Sequence, residues 1–375
     1  MALPNPINHR RLVETFVDLI RIDSPSFQER AIGDKLSRLL ASAGCTVEVQ
    51  EYERSFNLVG RKKGSVPGTP SLLVSGHMDT IEPTEGIEFS TDDLVIRSTG
   101  KTVLGADDKS ALAQIIEALT VIHERGLPHG DLEIVFTSAE EKGLLGSRNL
   151  EFSRLNSGHA LVLDACGEVG SLIVSAPTHV TYEMRVTGRS AHAGIEPEAG
   201  TNAIRVAAEI IRAIPDGRIS GSTTANVGKI SGGTATNVVP GEVLLCGELR
   251  SLSADELEIN KRRIFDTARS IARENDAGLS IVEQEEYRSF TLSHDDPFLQ
   301  FLCGIFRKLG RESLLVPTGG GSDANIFNER GIKAVNMANG MRRVHSSGEH
   351  IYIRDLLEGC RLLLQAMTDF RDFAT

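Results

Sequence analysis

Three short apolar runs in this 375-residue sequence end at acidic or imidazole clusters, and that repetition limits the fold more than any other feature. Leu72-Leu73-Val74 runs into SGHMDT (Ser75 to Thr80). Leu132 to Phe136 runs into TSAEEKGLLGS (Thr137 to Ser147), and His159 to Leu163 stops at Asp164. In open α/β sheets, ligands bind outside the carboxyl ends of the strands, which is where these side chains would stand. Each cluster taken singly has a plain explanation as a polar turn, a helix cap or a solvated glutamate pair. Three strand ends in succession are hard to explain as capping alone.

The rest of the chain supplies the helices and a second pattern. Arg11 to Ile22 places Leu12, Phe16, Leu19 and Ile20 on one helical stripe, and Ala31 to Ala43 repeats it up to Gly44. Strands are expected at Thr46 to Glu51 and Asn57 to Arg61. The polar, turn-rich Ile81 to Lys101 is expected as a loop or ribbon over the site. LGADDK (Leu104 to Lys109) opens a long helix ending near Gly126-Leu127-Pro128. After Ser175 come a strand (Val180 to Val186), GRSAHAG (Gly188 to Gly194) and a helix (Asn202 to Ile214). Two strands (Thr224 to Ile230, Glu242 to Arg250), a charged helix (Ala254 to Glu274) and a strand near Leu279 to Glu285 follow. That order, β-α-β-β-α-β, is the ferredoxin-like one. It predicts an inserted domain at residues 177–288 between the two parts of a first domain, 1–176 and 289–375. The tail adds a helix near Pro297, TGGGSDANIF (Thr318 to Phe327), a strand (Lys333 to Met337), RRVHSSGEHIYI (Arg342 to Ile353) and a closing helix.

Composition excludes several classes of function. A net charge of -11, with no basic run longer than Arg61-Lys62-Lys63, argues against a nucleic-acid surface. No eighteen apolar residues run together and the N-terminal stretch lacks a signal pattern, so no membrane role is expected. Five scattered cysteines with no CxxC pair read as thiols of a reducing, cytoplasmic setting. TGGGSD lacks the Walker lysine and the GxGxxG spacing, so backbone approach to a substrate or site loop is the better reading of its glycines.

The clusters suit metal chemistry. His77 is a candidate ligand, with Asp79 able to orient it or to hold a neighbouring ligand, and an aspartate of the Asp107-Asp108 pair has two oxygens to offer to two ions. In the Glu140-Glu141 pair, one glutamate can ligate while the other takes a proton from water. Carboxylate and imidazole donors without thiolate suit zinc, cobalt or manganese.

SGHMDT, GADDKSA, EEKGLLGS, strand-end Asp164, GRSAHAG, GGTATNVVP, GGGSDA and VHSSGEHI follow one another in an order that resembles the M20 zinc peptidases over nearly the whole chain. Within that family the resemblance is to the peptidase T branch of aminotripeptidases. It implies an α/β catalytic domain with a mixed, mostly parallel sheet flanked by helices, carrying an inserted ferredoxin-like lid and dimerisation domain. It implies two Zn2+ per subunit, with Co2+ or Mn2+ as alternatives: Asp107 bridging, His77 and Asp164 on one ion, Glu141 and His345 on the other. Asp79 would orient the His77 side and Glu140 would be the general base. His192 would donate to the developing oxyanion, in its own or a partner subunit, and Asn237, Arg250, Gly320 and Ser322 would contact a short peptide substrate. Glu248 departs from the aspartate of many relatives. A carboxypeptidase or N-acyl amino acid deacylase shares the same metal chemistry. A catalytically silent peptide binder is the reading from another class.

Overall fold

The computed structural model describes residues 6–373, which divide into two compact units: residues 6–174, 291–317 and 322–373, and residues 175–290 with 318–321. The expected borders at 177 and 288 fall two residues inside these.

The first unit is built on a mixed sheet. Its centre is four parallel strands in the spatial order Leu132–Thr137, Leu72–His77, His159–Ala165, Lys333–Ala338. Thr46–Tyr52 and Ser55–Lys62 extend one side antiparallel, and Ser171–Ala176 extends the other. The Leu132–Thr137 and Leu72–His77 strands are buried at every position, as parallel strands covered on both faces must be. The Ala106–Arg125 helix is buried from Ala106 to Leu119 and packs against the His9–Ile20 and Ile353–Asp369 helices. Several of its buried polar groups find partners across the packing, although Gln114 Oε1 has none among the described residues. Gln114 Nε2 donates to the carbonyls of Asn339 and Leu356, and Glu117 receives Arg11 Nε at 2.6 Å. The helix stops at Gly126, whose left-handed φ of 58° needs no side chain.

Ile81 to Lys101 is not all loop. Phe89–Thr91 and Val95–Ser98 pair with each other, and the second pairs with His350–Tyr352 and so with Met341–Arg342, forming a four-stranded antiparallel sheet. Ile96, Ile351 and Met341 bury its inner face. The Glu140-Glu141 pair lies in a single 3-10 turn, Glu140–Lys142. Left-handed φ at Ala139 (46°), Gly143 (83°) and Leu144 (60°) prevents a continuous α-helix there.

The second unit has the sheet order Gly217–Arg218, Thr223–Gly232, Glu242–Ser251, Thr178–Thr187, Gly278–Tyr287, antiparallel throughout. Without its two-residue edge strand this is the ferredoxin-like arrangement. Met184, Val186, Leu245 and Leu249 meet Ala207, Ile210, Ile264 and Ala268 of the Ala203–Ala213 and Ala254–Glu274 helices in its core. Among the described residues no helix is long and apolar enough to cross a membrane.

Candidate metal centre

All the expected ligands lie at or beyond the carboxyl ends of the central parallel strands. His77 closes the first of these strands in sequence. The Glu140–Lys142 turn follows Leu132–Thr137, Asp164 sits near the end of His159–Ala165, and His345 follows Lys333–Ala338. Asp107 comes from the start of the Ala106–Arg125 helix, where its backbone (φ -82°, ψ 101°) is not yet helical and its peptide to Asp108 is cis.

Two donor sets meet at Asp107. His77 Nε2 lies 3.0 Å from Asp107 Oδ1 and 3.8 Å from Asp164 Oδ1. His345 Nε2 lies 3.2 Å from Asp107 Oδ2 and 3.0 Å from Glu141 Oε1. The aspartate therefore turns one oxygen to each imidazole. Donors bonded to one zinc at about 2.0–2.1 Å stand roughly 3.3 Å apart on a tetrahedron, and the observed separations of 3.0–3.8 Å bracket that edge. His77, Glu140 and Glu141 form a further close group.

The electrostatics also call for cations. Asp79, Asp107, Asp108, Glu140, Glu141, Asp164 and Asp323 crowd around two imidazoles, most of them buried. Burial, followed by the negative charges of neighbours, pushes Glu140 and Asp164 well above the usual carboxylate range. Burial works on Asp107 too, but hydrogen bonds with His345 and His77 hold it far below that range. His345, half-exposed, is raised to about 10 by Asp107 and Glu141. Protonated imidazoles offset only part of this excess of acids. Divalent cations, with neutral imidazoles as their ligands, neutralise more of it and match the nitrogen and oxygen donor set.

The supports of these side chains are specific. His77 Nδ1 is 2.8 Å from the Asp79 carbonyl and 3.5 Å from its carboxylate, which leaves Nε2 as the free donor. The orienting contact expected of the Asp79 side chain thus falls mainly to its backbone. The Asp79 carboxylate instead accepts the N–H groups of Glu140 at 2.9 Å and Glu141 at 3.2 Å, and the Ser26 hydroxyl at 2.7 Å. It fixes the turn that carries both glutamates.

Four supporting residues, and the supporting role of Asp108, escaped the sequence reading. Glu349 is buried and accepts the N–H groups of Leu104 (2.7 Å), Gly105 (2.9 Å) and Asp107 (2.9 Å), clamping the segment that delivers Asp107. Glu29 accepts Ala139 N–H at 2.9 Å. Asp108, the second member of the aspartate pair, accepts His77 N–H at 3.2 Å and the Asn339 side-chain amide at 3.0 Å. Asn336 brackets Asp164, accepting its N–H and donating to its carbonyl.

Of the expected substrate contacts, Ser322 belongs to the first unit. It lies in a reciprocal cap with Asn325 at the start of the Asp323–Glu329 helix, so its position is explained by helix capping. The second unit holds the others. His192 and Asn237 are exposed, and His192 bridges to Val238. Arg250 makes a two-pronged pair with Glu248 at 3.1 Å and reaches Tyr287 Oη at 3.2 Å, so the longer acid keeps a fork-to-fork geometry. Gly320 N–H donates to Thr318 Oγ1. The Tyr287 ring lies so near Gly321 that a Cβ there would come within 2.2 Å of it.

Two family profiles match the chain: the peptidase dimerisation domain of the M20 type over residues 175–276, and peptidase family M28 over residues 57–203. The uncharacterised Bacillus subtilis (strain 168) protein YqjE is 34% identical over 365 residues, 96% of this chain and 98% of its own. The aminopeptidase PepT of Bacillus cereus superposes with a TM-score of 0.87 at 34% identity, covering 97% of this chain and 99% of that one. A tripeptidase of Staphylococcus aureus superposes with a TM-score of 0.92 at 32% identity, covering 98% and 99%. Sequence and fold agree over essentially full length, and the chain belongs to the M20 family of metallo-exopeptidases, beside its peptidase T members.

Proposed function

We propose that this protein is a dinuclear zinc aminopeptidase that releases the N-terminal residue of tripeptides. The carrying observation is Asp107, whose two oxygens face two separate imidazole–carboxylate sets, His77 with Asp164 and His345 with Glu141. These five side chains would hold the ions. When bound, the pair of cations supplies Lewis acidity, lowering the pKa of water and polarising the amide oxygen.

The chain does the rest. Glu140, held by Asp79 through its backbone N–H, accepts the attacking water's proton on its carboxylate and returns it to the leaving amine. Half-exposed His345 leaves one side of the centre open to substrate. His192 is the candidate oxyanion donor, and Asn237, Arg250 and Gly320 are the candidates for holding the peptide. A homodimer through the second unit goes with the dimerisation-domain match. A cytoplasmic setting goes with five unpaired cysteines.

The test is hydrolysis of matched di- and tripeptides with free, acetylated or amidated ends by zinc-loaded protein, followed by mass spectrometry. First-bond cleavage that is lost on acetylation and kept on amidation is expected. Loss only on amidation would reassign the enzyme as a carboxypeptidase, and release of the acyl group would make it a deacylase.

A further inference from the structure

A second polar site lies in the first unit, on the outer face of the four-stranded sheet. The register pairs Arg342 with His350, His350 with Arg97, and Arg97 with Ser90, so these side chains form one cross-strand row on one face. Cross-strand neighbours point the same way, and like charges placed directly opposite repel. No acidic residue occupies the row. Arg343, in the left-handed region at φ 51°, adds a third guanidinium beside it. In a chain of net charge -11 this is a local reversal of sign.

The row lines two adjoining hollows. One, of about 220 Å³, is walled by Val95, Arg97, Arg343, His350 and Tyr352. The other, of about 570 Å³, is walled by Cys166, Arg342, Arg343, His350 and Tyr352. The positive charge there is largely uncommitted. Arg342 has Asp355 at 3.2 Å and stacks over Tyr352, yet its Nε is buried without an acceptor. Asp92 lies close enough to Arg97 for its charge to act there, and one of its oxygens, Oδ1, accepts the N–H groups of Leu94 and Val95. His350 Nδ1 engages only the Gly348 carbonyl. A planar, multidentate acceptor is what forked guanidinium donors match best.

We propose that this hollow is an oxyanion site, taking a phosphate or carboxylate group on Arg97, Arg342, Arg343 and His350. It does not overlap the ligand set, but it shares walls with the segments that carry two ligands. Cys166 follows Asp164 by two residues, Arg343 precedes His345 by two, and Gly167 N–H donates to the Met341 carbonyl at 2.9 Å. An anion bound there therefore sits against the backbone that positions Asp164 and His345. The same chemistry has two sources: a carboxylate of the peptide substrate, or a free phosphate.

The experiment is calorimetric titration of the metal-loaded protein with inorganic phosphate, comparing the parent with Arg97→Gln/Arg343→Gln. Both arginines are exposed, and matching circular-dichroism melts verify the fold. Phosphate taken up by the metal centre contributes equally to both titrations. A loss of at least tenfold in the affinity of a phosphate event in the double variant is expected, with Arg97→Lys/Arg343→Lys retaining part of it. Identical isotherms, or no phosphate event beyond the metal centre, would overturn the proposal. Rates with tripeptides carrying Glu or Gln then identify the source. A preference for Glu that vanishes in the double variant, with phosphate competing against it, marks a substrate carboxylate. An unchanged preference, with phosphate altering kcat without competing, marks a free anion.

Discussion

Replacing Glu349 by glutamine should separate metal affinity from fold stability. Its two oxygens receive three backbone N–H groups, two on one oxygen and one on the other. Glutamine keeps one acceptor and presents an NH2 where the other stood, so at least one N–H is left unpaired, at about 1–3 kcal/mol. Losing an outer partner of a ligand typically lowers metal affinity about 10–100-fold, or about 1.4–2.8 kcal/mol, which is the same size. Stability of the metal-free protein has an opposing contribution. Burial, with the Asp107 charge adding to it, raises Glu349 from its ordinary 4.5 to about 7 despite its backbone hydrogen bonds. The folded state therefore keeps a proton between those values that the unfolded state has released. Stability from this group is fully present below pH 4.5 and falls by roughly 3 kcal/mol as pH rises through 7. Above pH 7 glutamine removes that penalty and offsets the lost hydrogen bond. The expected result at pH 8 is a nearly unchanged metal-free melt with zinc bound 10–100-fold more weakly, measured by chelator competition. The pH dependence between 4.5 and 7 should also flatten. Zinc affinity equal to the parent's would refute the clamping role.

Glu140→Gln should retain both metals by elemental analysis while kcat on a tripeptide falls about 10²–10⁴-fold; a variant of full activity would remove Glu140 as the base. Gly146→Ala would force a carbon to 2.2 Å from the Ser138 carbonyl, beside the glutamate turn, and should destabilise by about 1–3 kcal/mol. A parental denaturation midpoint would contradict that close approach. Arg11→Leu leaves Glu117 buried without its ion pair and should cost about 3–5 kcal/mol, most of it recovered in Arg11→Leu/Glu117→Leu. Denaturant titration of both variants checks this, and equal loss in the two would show that packing governs.

The sheet and three of its strand ends, at His77, Glu140 and Asp164, were legible because they are local: an apolar run with its acid or imidazole close behind. The ferredoxin-like order of the second unit was legible for the same reason. The supports were not. Glu349 acts on residues 242 to 245 positions away and Asn336 on one 172 away, so no spacing announces them. The ribbon expected in Ile81 to Lys101 is the pair Phe89–Thr91 and Val95–Ser98, but its extension into a four-stranded sheet was not legible, because the strand that joins Val95–Ser98, near residue 350, lies far along the chain. Asp79 shows a different limit. Its neighbourhood to His77 was evident, but whether its carbonyl or its carboxylate made the contact depended on backbone direction.

Residues 175–290 leave the catalytic unit and return to it at neighbouring positions, Leu292 N–H donating to the Val174 carbonyl at 2.8 Å. An unstructured excursion of roughly 115 residues would cost only about 3 kcal/mol more to close than a four-residue turn. One that folds with its ends side by side costs less still. To the sheet of the first unit, the excursion of residues 175–290 is thus equivalent to a hairpin loop. Changes of length within residues 175–290 therefore place little strain on the strands on either side, which leaves selection free to remodel that unit without rebuilding the sheet beneath it.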